Sequence, residues 1–194
     1  MTNQHISKAS FSAQQIRVSF FASIMLLSLF LKPAFAAEAP AYPLAADVSS
    51  IDGIMHAYYD VVSGPANTPR NVARDLSLHH PRAQIFPLLH DKNDKPSLLA
   101  FSIQEFHAWS KPVYDAGFYE REIKREVKSF GNSIHIWSTY ETRQTPDGAV
   151  TSRGINNIQL YFDGQRYWIL SETWDSESPH NPLPLPATAA GASK

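Results

Sequence analysis

Three turn signals cut the C-terminal half of this chain into four runs of similar length, and this rhythm constrains the fold more than any other feature. Gly131-Asn132, Pro146-Asp147-Gly148 and Asp163-Gly164 separate residues 119–130, 133–144, 150–162 and 165–175. Such residues supply the backbone angles of tight turns. In the second run Ile134, Ile136, Ser138 and Tyr140 alternate with His135, Trp137, Thr139 and Glu141, the two-residue period of a strand. Short turns join neighbours, so an antiparallel meander of long strands is expected. The first run is ambiguous. Glu120 and Lys124 are spaced as a helical ion pair, and Ile123, Val127 and Phe130 share a helical face. Strand is expected there nonetheless, because the turn at Gly131-Asn132 then closes a hairpin.

Upstream the period becomes helical. Ser49-x-x-Asp52 reads as a helix start, and Ile51, Ile54, Met55, Tyr58, Tyr59 and Val62 form one apolar stripe that ends at Gly64-Pro65. Residues 71–78 read as a short second helix stopped by His79-His80-Pro81. A strand over 83–89, interrupted by Pro87, and a returning strand over 97–101 follow. Ser102-Ile103-Gln104-Glu105 is a capping box for a further helix, which should turn Ile103, Phe106, Trp109 and Val113 inward and stop at Gly117. Pro112 inside that helix costs about 3 kcal/mol and one hydrogen bond, which predicts a kink or break near Ser110. Helices first and strands last define an α+β class.

Residues 1–36 read as a signal peptide. Lys8 and Arg17 make a positive start, residues 18–31 are apolar, and Ala34-Phe35-Ala36 offers small residues to a signal peptidase. A membrane-crossing helix needs about 20 apolar residues. This run is shorter and ends at Lys32-Pro33, so cleavage is expected, with export to the periplasm or medium and no stable membrane anchor. Residues 37–47, rich in Ala and Pro, are expected to be a disordered tether, 48–185 a single domain, and 186–194 a disordered tail. The chain has no cysteine, which excludes thiol catalysis and zinc–thiolate sites. The leader holds three of the 17 basic residues and none of the 18 acidic ones, leaving 14 basic against 18 acidic residues in the mature chain. A net negative chain without a basic patch excludes nucleic acid as a partner.

Three stretches carry a resemblance: Leu78-His79-His80-Pro81-Arg82-Ala83, Gly117-Phe118-Tyr119-Glu120-Arg121-Glu122 and Asp163-Gly164-Gln165-Arg166-Tyr167-Trp168-Ile169. With them the chain resembles the nuclear-transport-factor-2-like superfamily, also called SnoaL-like or ketosteroid-isomerase-like, and within it uncharacterised exported bacterial members. The resemblance covers roughly residues 48–185. It implies a cone-shaped roll of N-terminal helices packed on a curved, mostly antiparallel sheet that ends in the four-strand meander. The superfamily spans isomerases, dehydratases, cyclases, hydrolases and non-catalytic binders, so the fold does not decide the activity.

The mouth of such a cone is the default site. Tyr58 or Tyr59 would face it from the first helix, and the resemblance implies an oxyanion-donor role for a tyrosine there; packing is the competing role. His80, before a proline, is either a general base or a turn-fixing residue. His135, on the strand face shared with Trp137, Thr139 and Glu141, belongs either to the pocket or to the outer sheet face. Arg153, Asn157 and Gln159 share one face of the third meander strand, and Glu172 places a charge on the last. Each needs a partner, because an unpaired buried polar group costs about 1–3 kcal/mol. Ligand, interface and internal network remain open for this cluster. His56 and Asp60, and the adjacent His79 and His80, bring no third ligand at a diagnostic spacing, so no metal is expected. No phosphate loop, dinucleotide fingerprint or nucleophile elbow occurs, and no cofactor is expected.

The leading functional expectation is an exported, non-catalytic domain that binds a small apolar molecule. The alternatives are a lyase, isomerase or hydrolase with His80 or His135 as base and Tyr58 as donor, and a structural envelope partner, with a possible homodimer through the sheet face.

Overall fold

The computed structural model describes residues 41–184. The expected signal peptide over 1–36 and tail over 186–194 lie outside the described residues.

Four helices precede or interrupt six strands: α1 (Ala45–Val48), α2 (Ile51–Val62), α3 (Val72–Leu78), β1 (His79–His90), β2 (Pro96–Leu98), α4 (Ile103–Asp115), β3 (Tyr119–Phe130), β4 (Ser133–Arg143), β5 (Val150–Phe162) and β6 (Tyr167–Ser176). The strands form one curved, unclosed sheet in the order β2-β1-β6-β5-β4-β3. The meander β3–β6 is antiparallel throughout, and β1 joins it by running parallel to β6. The ambiguous run is strand: β3 pairs with β4 from Tyr119↔Arg143 to Phe130↔Ser133, and the turn carries Gly131 at φ +57°. Local helical spacing lost to eleven residues of ladder pairing.

The core lies between α2 and the concave sheet face. Ile54, Met55 and Ala57 of α2 are fully buried against Ile136 of β4, Ile158 and Leu160 of β5, and Ile169 of β6. Only glycine fits at Gly154, where a Cβ would stand 2.3 Å from the Asp175 carbonyl oxygen and 2.4 Å from the Tyr140 hydroxyl.

Four local expectations are corrected. The tether does not run to residue 47: Ala45–Val48 is a helical turn, and buried Asp47 accepts two hydrogen bonds from Arg74, at 2.7 and 2.9 Å. That turn takes Ser49 as its own C-cap, so α2 is capped by Ser50, whose hydroxyl accepts from Gly53 N–H at 3.0 Å. Finally, α4 runs unbroken through Pro112. The carbonyl that loses its donor belongs to Ala108 on the exposed side of the helix, where solvent can replace the bond. Trp109 and Val113 are not core residues either, being 40% and 51% exposed.

Candidate functional site

The helix-to-strand switch at residues 78–79 builds the centre of the site. Asp75 is on α3 and His79 is the first residue of β1, four positions on. His79 Nδ1 donates to the Asp75 carbonyl oxygen at 2.9 Å and lies 3.3 Å from Asp75 Oδ1. Asp75 Oδ2 also lies 2.9 Å from His107 Nε2 of α4. The other nitrogen of His79, Nε2, stands 3.9 Å from Oε1 of Glu172 on β6. Asp75, His79 and Glu172 are each no more than 3% exposed.

These groups border a cavity of about 180 Å³. Tyr58 and Val62 enter it from α2, Glu120 from β3, Asn156 from β5, and Trp174 from β6. One wall is α4, which contributes Phe106, Trp109, Ser110, Val113 and Tyr114. This accounts for the exposure of Trp109 and Val113: their apolar surface faces the hollow instead of the core. Phe106 contacts Trp109 and Trp174 with ring centroids 5.9 and 5.7 Å apart. A few polar groups converging on aromatic walls is the usual composition of a small-molecule site.

The electrostatics follow from burial and pairing. Burial alone works against charge on His79, but the hydrogen bond and charge of Asp75, with a further contribution from Glu172, raise it to about 9. Burial raises Asp75, and hydrogen bonding to His107 and His79 outweighs it and brings the carboxyl down to about 2. Glu120 is pushed up to about 7 by burial, against the hydrogen bond it accepts from Asn156 Nδ2 at 2.9 Å. Burial also raises Glu172, and burial followed by Glu172 raises the Tyr58 hydroxyl well above its ordinary value. An imidazolium acid and a carboxyl that titrates near neutrality thus border one hollow, an arrangement able to move protons to and from a bound molecule. Among the described residues no group of His, Asp or Glu is arranged to hold a metal ion.

A solved structure shares this architecture, and two others resemble it less closely. The β subunit of a provisionally named aromatic-ring-hydroxylating dioxygenase from Novosphingobium aromaticivorans matches with a TM-score of 0.50 at 15% identity, over 67% of this chain and 88% of that one. A nuclear-transport-factor-2-like protein of unknown function from Silicibacter pomeroyi matches at 12% identity over 66% and 94%, with a TM-score of 0.46. A provisionally named ketosteroid isomerase from Parabacteroides distasonis matches at 9% identity over 66% and 89%, with a TM-score of 0.45. The fold is nuclear-transport-factor-2-like. No protein-family model and no curated protein sequence matches the chain.

Within this nuclear-transport-factor-2-like frame, two of the expected site residues, Tyr58 and Glu172, meet in the cavity. The others do not line it. His80 is not the cavity histidine: its Nδ1 accepts from Arg82 N–H at 3.2 Å, and its ring packs edge-on against Trp168 at 5.8 Å. His79 takes the place expected for it, because β1 starts one residue before His80 and turns alternate side chains to opposite faces. Tyr59 does not line this hollow, and its hydroxyl stands 2.6 Å from Ser138 Oγ and accepts from Asn156 Nδ2 at 3.2 Å.

On β5 the buried residues Gly154, Asn156, Ile158 and Leu160 share the concave face, which puts Arg153, Asn157 and Gln159 on the other side. There Gln159 bonds His135 Nδ1 at 2.6 Å, Arg153 lies 3.7 Å from Glu141, and Asn157 lines an outer groove with Trp137 and Ile155. His135 is therefore an outer-face residue as well. Sequence reasoning missed His79, Asp75, Glu120 and Asn156. The Asp75-x-x-x-His79 spacing was a usable signal, since four residues bring two side chains onto one helical flank.

Proposed function

We propose that this chain is an exported domain that binds one small, largely apolar molecule in the cavity between α4 and the concave sheet face. One observation carries the reading: an aromatic-walled hollow of about 180 Å³ is bordered by unpartnered buried polar atoms, His79 Nε2, Glu172 Oε2 and Ser110 Oγ. An apolar cavity of roughly 150 Å³ suffices for benzene, so the capacity corresponds to a single ring with a small substituent. Buried polar atoms are rarely left unpaired, and a ligand with a polar head would satisfy them. Export rests on the leader over 1–36, and a mature N-terminus at Ala37 is its check.

Native mass spectrometry of the purified protein should show a bound small molecule, or uptake of a monocyclic probe at one equivalent. Val113→Trp, which plugs the mouth from the exposed side of α4, should abolish that uptake while leaving the circular dichroism unchanged. Unaltered uptake by the plugged variant would rule the cavity out.

Glu120 and His79 favour a second reading, proton-transfer catalysis of the lyase or isomerase type. It runs through His79, because neither His80 nor His135 reaches the hollow. Exchange of ligand hydrogen for deuterium in the same binding experiment, lost in Glu120→Gln, distinguishes catalysis from binding alone.

A further inference from the structure

Two buried polar groups of the lining, His79 and Glu172, stand side by side. His79 has committed Nδ1 to the Asp75 carbonyl oxygen, which leaves Nε2 directed at the Glu172 carboxyl. The gap of 3.9 Å is too long for a direct hydrogen bond. One oxygen about 2.8 Å from each side closes it at roughly a right angle. The gap is measured to Glu172 Oε1; His79 Nε2 and the second carboxyl oxygen, Oε2, have no protein hydrogen-bond partner, and both residues are only 3% exposed.

The chemistry of the two walls limits what can sit between them. As an imidazolium, His79 presents an N–H there and ionised Glu172 a carboxyl oxygen, so the bridging group must accept from one and donate to the other. A hydroxyl does both, and its rotor adapts if the proton resides on Glu172 instead. A ketone or ether accepts only and leaves Glu172 Oε2 without a donor. A carboxylate ligand would add a negative charge beside Glu172, Glu120 and Asp75, which already outnumber the imidazoles of the cavity. Much of the remaining lining is aromatic, from Phe106, Trp109, Tyr114 and Trp174.

We propose that the cavity selects an uncharged ring compound carrying a hydroxyl group, a phenol or small cyclic alcohol, with the hydroxyl oxygen seated between His79 Nε2 and the Glu172 carboxyl. This assignment rests on the binding reading above and makes it specific. The hydroxyl gives recognition and the aromatic walls hold the ring.

Phenol and toluene test it, because they differ by one hydroxyl at nearly constant shape. Toluene is the more apolar of the two, and an undiscriminating greasy hollow would prefer it. Calorimetric titration of the full mature chain should show phenol binding at least tenfold tighter than toluene, with benzoate giving no saturable binding. In Glu172→Leu the preference should vanish or invert, and wild-type discrimination decides the matter if that variant fails to fold. Equal binding of phenol and toluene, or tighter binding of toluene or benzoate, overturns the hydroxyl assignment and leaves the cavity intact as a binding site. Failure of every ring compound to bind overturns the binding reading itself.

Discussion

Asp75→Ala destabilises the folded chain by about 3–5 kcal/mol, the usual cost of removing one partner from a buried charge pair. The carboxylate is 2% exposed and stands between two imidazoles, 3.3 Å from His79 Nδ1 and 2.9 Å from His107 Nε2. Without it, His79 keeps the backbone carbonyl of residue 75 at 2.9 Å and Glu172 at 3.9 Å but loses its adjacent carboxylate, and burial then favours the neutral ring. The cavity would lose its imidazolium acid while the backbone bond still holds the ring in place. Asp75→Asn retains shape and hydrogen-bonding capacity without charge, and so separates electrostatic loss from cavity formation. Urea unfolding at neutral pH should show the midpoint falling with an unchanged slope. A loss below about 1 kcal/mol in Asp75→Ala would mean that the pair carries no charge in the folded chain.

Raising the pH from about 5 to 9 should cost the protein stability, in a window where many proteins are near their optimum. His79 rises from its ordinary 6.5 to about 9 on folding. A group raised in this way contributes stability that is complete below 6.5 and disappears as the pH climbs through 9. At 1.36 kcal/mol per pH unit, this amounts to about 3 kcal/mol. Glu120, raised from 4.5 to about 7, acts with the same sign. The folded chain holds that proton after the unfolded chain has released it, so stability falls further between 4.5 and 7. Its share is smaller than the shift implies, because Glu120 is partly open to solvent. Asp75, lowered to about 2, offers no compensation, since its contribution is complete above 3.8 and is lost only as the pH falls through 2. Thermal unfolding should therefore give a midpoint about 10 °C lower at pH 9 than at pH 5. A flat or rising profile between pH 6 and 9 would rule out a protonated His79, and Asp75→Asn should flatten it.

Much of the architecture was legible because turn residues are local and strong. Gly131-Asn132, Pro146-Asp147-Gly148 and Asp163-Gly164 fall between the observed strands, and they overruled the helical spacing of β3. The faces of β5 were harder. Arg153, Ile155, Asn157, Gln159 and Tyr161 alternate with Gly154, Asn156, Ile158 and Leu160, and each set mixes polar with apolar residues. Parity alone cannot say which set meets the helices. The close approach at Gly154 decides it, and that contact is tertiary. The histidine assignment failed by one residue, since the start of β1 determines which neighbour turns inward. Glu120 and Asn156 were unreadable because their partners lie on strands far apart in the sequence.

The parallel pairing of β1 with β6 also governs the order of events during synthesis. His79 pairs with Ile169, and Ile85 with Glu172, across a separation of more than eighty residues. Neither strand can complete its ladder until the last hairpin has left the ribosome. A nascent chain halted after β5 would hold Asp75 and His79 with no facing carboxyl, so the recognition site is assembled last, by the final strand of the domain.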